Sequence, residues 1–268
     1  MKTKQAEILK EIKKSGFPAE LQISNIFKED DWNIQYNNYY IDHDELKGRE
    51  IDLVCSYTKT TTATEDEYLE LGLNLVVEIK SSKNPWIFFS NSPTTTEVIT
   101  NPPFIANYIN FSKNPQHYFT CTICKLAERL GRSVYQANSS GKDPIYSALC
   151  GVIKATEHMY ESHFLQEDNA DIPKLYGLLY YYEPVIIFDG EMFESYLGID
   201  GEIEVQESKY MQVSFNYLSP HYKSRKNGYL VHVVRASHLK DFLAERKECF
   251  SKVSEIILKS EKPQLTFL

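Results

Sequence analysis

Glu78 and Lys80 close one of the most apolar runs in the chain, "LGLNLVVEIKSSKNPW", where a carboxylate and an ammonium are out of place. Side chains alternate along a strand, so these two residues share a face and Ile79 points the other way. Asp52 interrupts a second apolar run, "REIDLVC", between Ile51 and Leu53. If the two strands are neighbours, Asp52 and Glu78 meet. Two carboxylates buried together repel and raise each other's pKa. A divalent cation removes that conflict, and Mg²⁺ is held by one or two carboxylates with water and phosphate oxygens in the rest of its shell. Lys80 beside them would orient an attacking water or offset phosphate charge. Such a set suits hydrolysis of a phosphodiester.

The tripeptide Glu-x-Lys is not the signal by itself. It occurs five times, at Glu11, Glu45, Glu78, Glu207 and Glu245, and the other copies read as solvated charges. The Glu78 copy differs in the apolar "LNLVV" before it and in an acid embedded in an adjacent strand-like run. Taken singly, Asp52 could be a buried acid paired with Arg49 or Lys80, since buried charges need partners. Glu50 shares a face with Asp52, and Asp52 is preferred because both its neighbours are apolar. Glu20 lies in the first turn of a helix, where a carboxylate also complements the helix dipole.

The elements that must carry these residues follow from pattern. Residues 5–14 and "SGFPAELQISNIFKEDDW" read as two helices, the second with Pro18 at its first position and Ala19, Ile23, Ile26 and Phe27 as its stripe. Three strand-like runs follow, "WNIQYNNYYID", "REIDLVCSYT" and "LGLNLVVEIKS". Their links, "HDELKG" and "KTTTATEDEYLE", are polar and read as loops, and short links favour an antiparallel meander. Residues 85–144 carry several prolines and one helix candidate, "TCTICKLAERLG". Then come a helix ("IYSALCGVIKATEHMYESHF"), two strand-like halves around Pro184, a hairpin ("EVQESKYMQVSFNYL" with "NGYLVHVVRA") and a closing helix ("SHLKDFLAERKECFSKVSEIILK"). This is a mixed α/β order.

Lys and Arg total 29 against 37 Asp and Glu, a net charge of -8. That argues against a protein that coats polyanions, because such binding rests on basic residues neutralising phosphates. The start of the chain has no apolar signal core, and the greasiest stretch, "LYGLLYYYEPVIIF", is too short to span a bilayer. With five cysteines, an odd number, reduced thiols and a cytoplasmic protein with no membrane partner are expected. "HYFTCTICK" places His117, Cys121 and Cys124 at helical spacing for zinc, yet no fourth ligand is evident; small core residues are the plainer reading. Tyr180 to Tyr182 are read as sheet packing in preference to base stacking. The loop "SPHYKSRKNG" bears Lys223, Arg225 and Lys226 and no acid, so it could contact phosphates.

The phrases "GFPAELQISNIF", "REIDLVC" and "LVVEIKSSKNPW" resemble, in order, the helix, acid strand and E-x-K strand of the PD-(D/E)XK nuclease superfamily. The likeness is concentrated in residues 15–90, and Ile51-Asp52 stands where that superfamily has Pro-Asp. The resemblance implies a restriction-endonuclease-like αβββαβ core with a mixed central sheet flanked by helices, in one domain over residues 1–268. The core would span about 15–90 and 144–190, with an insertion at about 85–143 and a C-terminal extension at about 200–268. It further implies Asp52 and Glu78 as ligands of Mg²⁺ or Mn²⁺, with the Ile79 carbonyl completing the shell. Lys80 would position or activate the water, and Glu20 would be an auxiliary acid. Gln136 and Lys154 are candidates for a further motif residue. The implied activity is cleavage of nucleic acid, DNA favoured over RNA, by a protein acting as a homodimer or with a partner subunit. The alternative is a degenerate member that binds nucleic acid or protein without cutting.

Overall fold

The computed structural model describes residues 2–12, 15–64, 67–94, 105–109, 126–137, 144–162, 175–222 and 228–265. In chain order the elements are α1 (Lys2–Ile12), α2 (Phe17–Glu29), β1 (Asn33–Asp42), β2 (Lys47–Thr64), β3 (Glu67–Ser81), β4 (Trp86–Asn91), β5 (Ile105–Ile109) and β6 (Leu130–Gln136). There follow α3 (Pro144–Ser162), β7 (Leu175–Asp189), β8 (Met192–Leu197), β9 (Ile203–Glu207), β10 (Tyr210–Phe215) and β11 (Tyr229–Arg235). A 3-10 turn, Ala236–His238, then leads into α4 (Leu239–Leu265). The eleven strands form one mixed sheet in the order β1-β2-β3-β7-β11-β10-β6-β4-β8-β9, with β5 added beside β7. The protein is therefore mixed α/β.

The meander β1-β2-β3 is antiparallel, as its short links require, and β7 lies parallel to β3 along its whole length. Helices cover both faces of this part of the sheet. On one face, Ile23 and Phe27 of α2 and Phe242, Leu243, Phe250 and Val253 of α4 pack on Leu53, Leu73, Leu75, Val77 and Ile79. On the other, Ile145, Leu149, Val152 and Ile153 of α3 pack on Tyr40, Val54, Val76, Tyr182 and Ile186. β3 divides cleanly between them. Its odd positions, Leu71 to Ile79, are apolar, and its even positions on the α3 side include Asn74, Glu78 and Lys80.

Several elements differ from the pattern reading. "KTTTATEDEYLE" was expected to be a loop, but β2 and β3 run on into a long hairpin, paired as far as Thr64↔Glu67. Threonine is polar and also β-branched, and the second property wins where a partner strand is at hand. Pro184 does not divide β7. It falls between the partners on that edge, β5 opposite Leu178 to Tyr182 and β11 opposite Val185 to Phe188, so its missing N–H interrupts neither ladder. The described part of the helix candidate "TCTICKLAERLG" is irregular from Leu126 and becomes strand at Leu130. There Leu130 is fully buried, and Arg129 donates from Nε and Nη2 to the two oxygens of Glu194 at 2.7 and 2.8 Å. Tertiary pairing has overridden helical spacing.

β4 and β6 are members of the same sheet, joined to it through β10. The hairpin β8-β9 turns at Gly201, whose φ of +82° suits glycine. The hairpin β10-β11 forms within the expected segments, with β11 parallel to β7, but its expected first arm is split: Glu204 to Glu207 belong to β9 and pair with β8, and only Tyr210 to Phe215 pair with β11. Tyr180, Tyr181 and Tyr182 are buried packing residues, as expected.

Candidate active site

The four residues singled out by spacing lie on three elements and act on one another electrostatically. β2 and β3 pair in register up to Leu53↔Val77, and the next step along each strand is Asp52 and Glu78. There the ladder stops. The Ile79 N–H donates instead to Asp52 Oδ2, at 2.6 Å. The alternation of β2 also breaks at this point: Ile51 and Val54 pack on the α3 side, whereas a regular strand would place them on opposite faces. Across on β1, Asn37 has a φ of +52° and its amide donates to Glu50. Asparagine is among the few side chains that take this conformation readily. A local irregularity of this kind re-aims side chains where a regular pleat would hold them apart.

Lys80 Nζ forms an ion pair with Glu78 Oε1. The Glu78 side chain is 15% exposed and that of Lys80 35%, so the lysine remains reachable from solvent. Glu20 enters from the first turn of α2, a helix that begins with Phe17 and Pro18 and whose Ile23 and Phe27 anchor it to the sheet. The carboxyls bear on one another. Burial pushes Glu78 above the usual glutamate range, Lys80 opposes that rise, and Asp52 and Glu20 add to it. Burial also raises Asp52, with the Ile79 N–H and Lys80 working against it and Glu50 with it. Glu20 is raised by burial and by repulsion from Asp52 and Glu50. One lysine faces three acids whose charged forms are all disfavoured.

The donor set fits a hard divalent cation in part. Asp52 uses one oxygen on Ile79 and Glu78 one on Lys80, which leaves Asp52 Oδ1 and Glu78 Oε2 for an ion whose other ligands are water and phosphate oxygens. Among the described residues, no group of three or more His, Cys, Asp or Glu side chains is placed to hold a metal ion. Ile79 contributes to the cluster through its N–H, and its position in β3 pairs with Ile187 of β7.

The other candidates lie elsewhere. Lys154 is tied to Asp42 and Asp44 at 2.7 and 2.8 Å, away from the cluster. Gln136 donates to Ser82 Oγ at 2.7 Å, two residues beyond Lys80, and so fastens the end of β3 to β6. Lys223, Arg225 and Lys226 are outside the described residues, as are His117, Cys121 and Cys124. The described stem of the basic loop is docked on the β1-β2 turn: Tyr222 Oη accepts the His43 N–H at 3.0 Å, and Tyr217 and Ser219 donate to Asp44. The pattern reading missed Asn37, and it missed Tyr40, a buried phenol pushed upward first by burial and then by Glu78. An asparagine pair inside "YNNYY" was the one available hint of an irregular strand.

No helix among the described residues is long and apolar enough to cross a membrane. Compared with protein-family models, with curated proteins and with solved structures, the chain matches none.

Proposed function

We propose that this protein hydrolyses phosphodiester bonds of nucleic acid, DNA in preference to RNA, at the cluster of Glu20, Asp52, Glu78 and Lys80, with Mg²⁺ or Mn²⁺ as cofactor. The observation that carries the proposal is that Asp52, Glu78 and Lys80 lie at the point where the β2-β3 ladder stops, with Glu20 coupled to them electrostatically. The order α2-β1-β2-β3, followed after three strands by α3-β7, supports a restriction-endonuclease-like core, as does the placement of α2 and α3 on opposite faces. In this reading Asp52 and Glu78 hold the cation, which supplies Lewis-acid stabilisation of the phosphate when bound. Asp52 is itself held in place by the Ile79 N–H. Lys80 exchanges its contact with Glu78 for one with the phosphate or the attacking water, and Glu20 orients that water from the side of α2.

A second reading rests on the Lys80–Glu78 ion pair and on the lack of a three-ligand group among the described residues. In it the same fold binds nucleic acid or a protein without cutting. The test is cleavage of supercoiled plasmid, linear duplex, single-stranded DNA and RNA with Mg²⁺ or Mn²⁺. We expect metal-dependent cutting that falls about 10²–10³-fold in a folded Lys80→Ala protein. Cutting that survives this substitution would remove Lys80 from the mechanism, and no cutting by the native protein would favour the second reading.

A further inference from the structure

Asn74 is a further polar residue on the α3-side face of β3, and nothing in the hydrolytic cluster uses it. It sits between Leu73 and Leu75 and is 6% exposed. Ser56 Oγ donates to its Oδ1 at 2.6 Å, while its Nδ2 is buried with no hydrogen-bond partner among the described residues. Whichever way the amide is turned, one of its polar ends is unmatched, which is costly in a buried setting. Asn74 lines a cleft of about 360 Å³ between the sheet and the C-terminal half of α3.

The chemistry of that cleft is specific. Among the described residues that line it there is no Lys, Arg, Asp or Glu, and the titratable base among them, His158, is held toward the neutral form first by burial and then by His43. Amide and hydroxyl groups make up most of the lining, Tyr182 is buried beside them, and Tyr39 stands at the edge with 71% of its surface exposed. An uncharged lining repels neither sign and favours no phosphate. A flat heterocycle with hydrogen-bonding edges fits it, with one face on Tyr39 and one edge on Asn74. Ser56↔Asn74 is a registered pair of the same two strands that carry Asp52 and Glu78. Four residues separate Asn74 from Glu78, or about 13 Å along the strand. A chain with its phosphate at the cluster therefore has a base within reach of the cleft.

We infer that the Asn74 cleft receives one unstacked nucleobase of the nucleic acid whose backbone lies at Glu78 and Asp52, which makes the substrate single-stranded or locally unpaired beside the cut. This inference rests on the function proposed above. The discriminating probe is a single-stranded oligonucleotide carrying 2-aminopurine, titrated in EDTA so that no cleavage intervenes. A fully paired duplex carries the same base as control, and Tyr39→Ala and Asn74→Leu are compared with the native protein. Expected is a change of 2-aminopurine emission with the single strand and not with the duplex. Binding should weaken at least about fivefold in Tyr39→Ala, the low end of what loss of a stacking ring costs. Tyr39 is exposed, so that variant does not depend on refolding a core. No emission change with the native protein, or equal behaviour of duplex and single strand with Tyr39→Ala indistinguishable from native, would overturn the inference whatever the cleavage assay shows. An emission change without metal-dependent cleavage would keep the cleft and remove the nuclease.

Discussion

Two clusters of charge flank the same stretch of sheet, and they are built on opposite principles. Around Lys154, the acids Asp42, Asp44 and Glu45 are met by Lys154 and Arg49. Although burial alone would raise Asp42 and Asp44, the hydrogen bonds from Lys154 hold both below the usual aspartate range, with Arg49 helping at Asp42. Around Lys80, the acids Glu20, Asp52 and Glu78 share one lysine, and all three lie above their usual range. The first cluster is complete as folded. The second carries negative charge that the described residues do not neutralise, which is how a structural ion-pair network differs from a site awaiting a cation.

The largest expected effect breaks the complete cluster. In Lys154→Met, Asp42, 1% exposed, loses one of its two cationic partners and Asp44 loses its ion pair with Lys154. Removing one member of a buried pair costs about 3–5 kcal/mol, so the denaturant midpoint should fall steeply while Mn²⁺ binding by any folded fraction persists. A loss below about 1 kcal/mol would show that this network is not holding the β1-β2 turn to α3.

Next in size is a matched pair of near-isosteric changes with opposite signs. Asp42→Asn should lower the thermal midpoint in EDTA, because it removes a charge that its surroundings stabilise. Asp52→Asn should raise it, because it removes a charge that its surroundings disfavour, and the new amide oxygen can still accept the Ile79 N–H. If both substitutions destabilise, the Lys80 cluster is a structural network too.

The smallest difference between the two clusters is in the pH dependence that each contributes, and its sign differs between them. Asp42 and Asp44 lie below their ordinary value of 3.8, so their contribution is present above that pH and is lost as pH falls through their lowered values. Asp52 and Glu78 lie above their ordinary 3.8 and 4.5, so the stability they favour is present below those values and lost as pH rises. Glu183, fully buried 3.8 Å from Arg246, has the same sign and is pushed up to about 8. The melting temperature in EDTA should therefore peak in mild acid and decline toward pH 8, with Mn²⁺ removing part of the alkaline decline. A midpoint that rises steadily to pH 8 would contradict this assignment.

The Lys80 cluster was legible because its members violate local expectation. Asp52 and Glu78 interrupt apolar runs, and Glu20 precedes them in a recognisable order. The Lys154 cluster was not legible, because Lys154 meets Asp42 across 112 residues of chain and neither residue looks unusual in its own segment. Helices with clear stripes, α2, α3 and α4, and the meander were readable from periodicity. β4, β6 and β8 were not: they are short, they mix polar and apolar residues on both faces, and pairing with strands remote in sequence defines them. The break at Asp52 was hidden for a related reason. It exists in the relation between Asn37, Asp52 and Ile79, not in any one of the three segments.

The charge excess at Lys80 is tested most directly by calorimetric titration of Mn²⁺ into the native, Asp52→Asn and Glu78→Gln proteins at neutral pH. Expected is a saturable site in the native protein that is lost or weakened at least about tenfold in each variant. A native protein that binds no Mn²⁺, or variants that bind it as well as the native protein does, would contradict a metal site at Asp52 and Glu78.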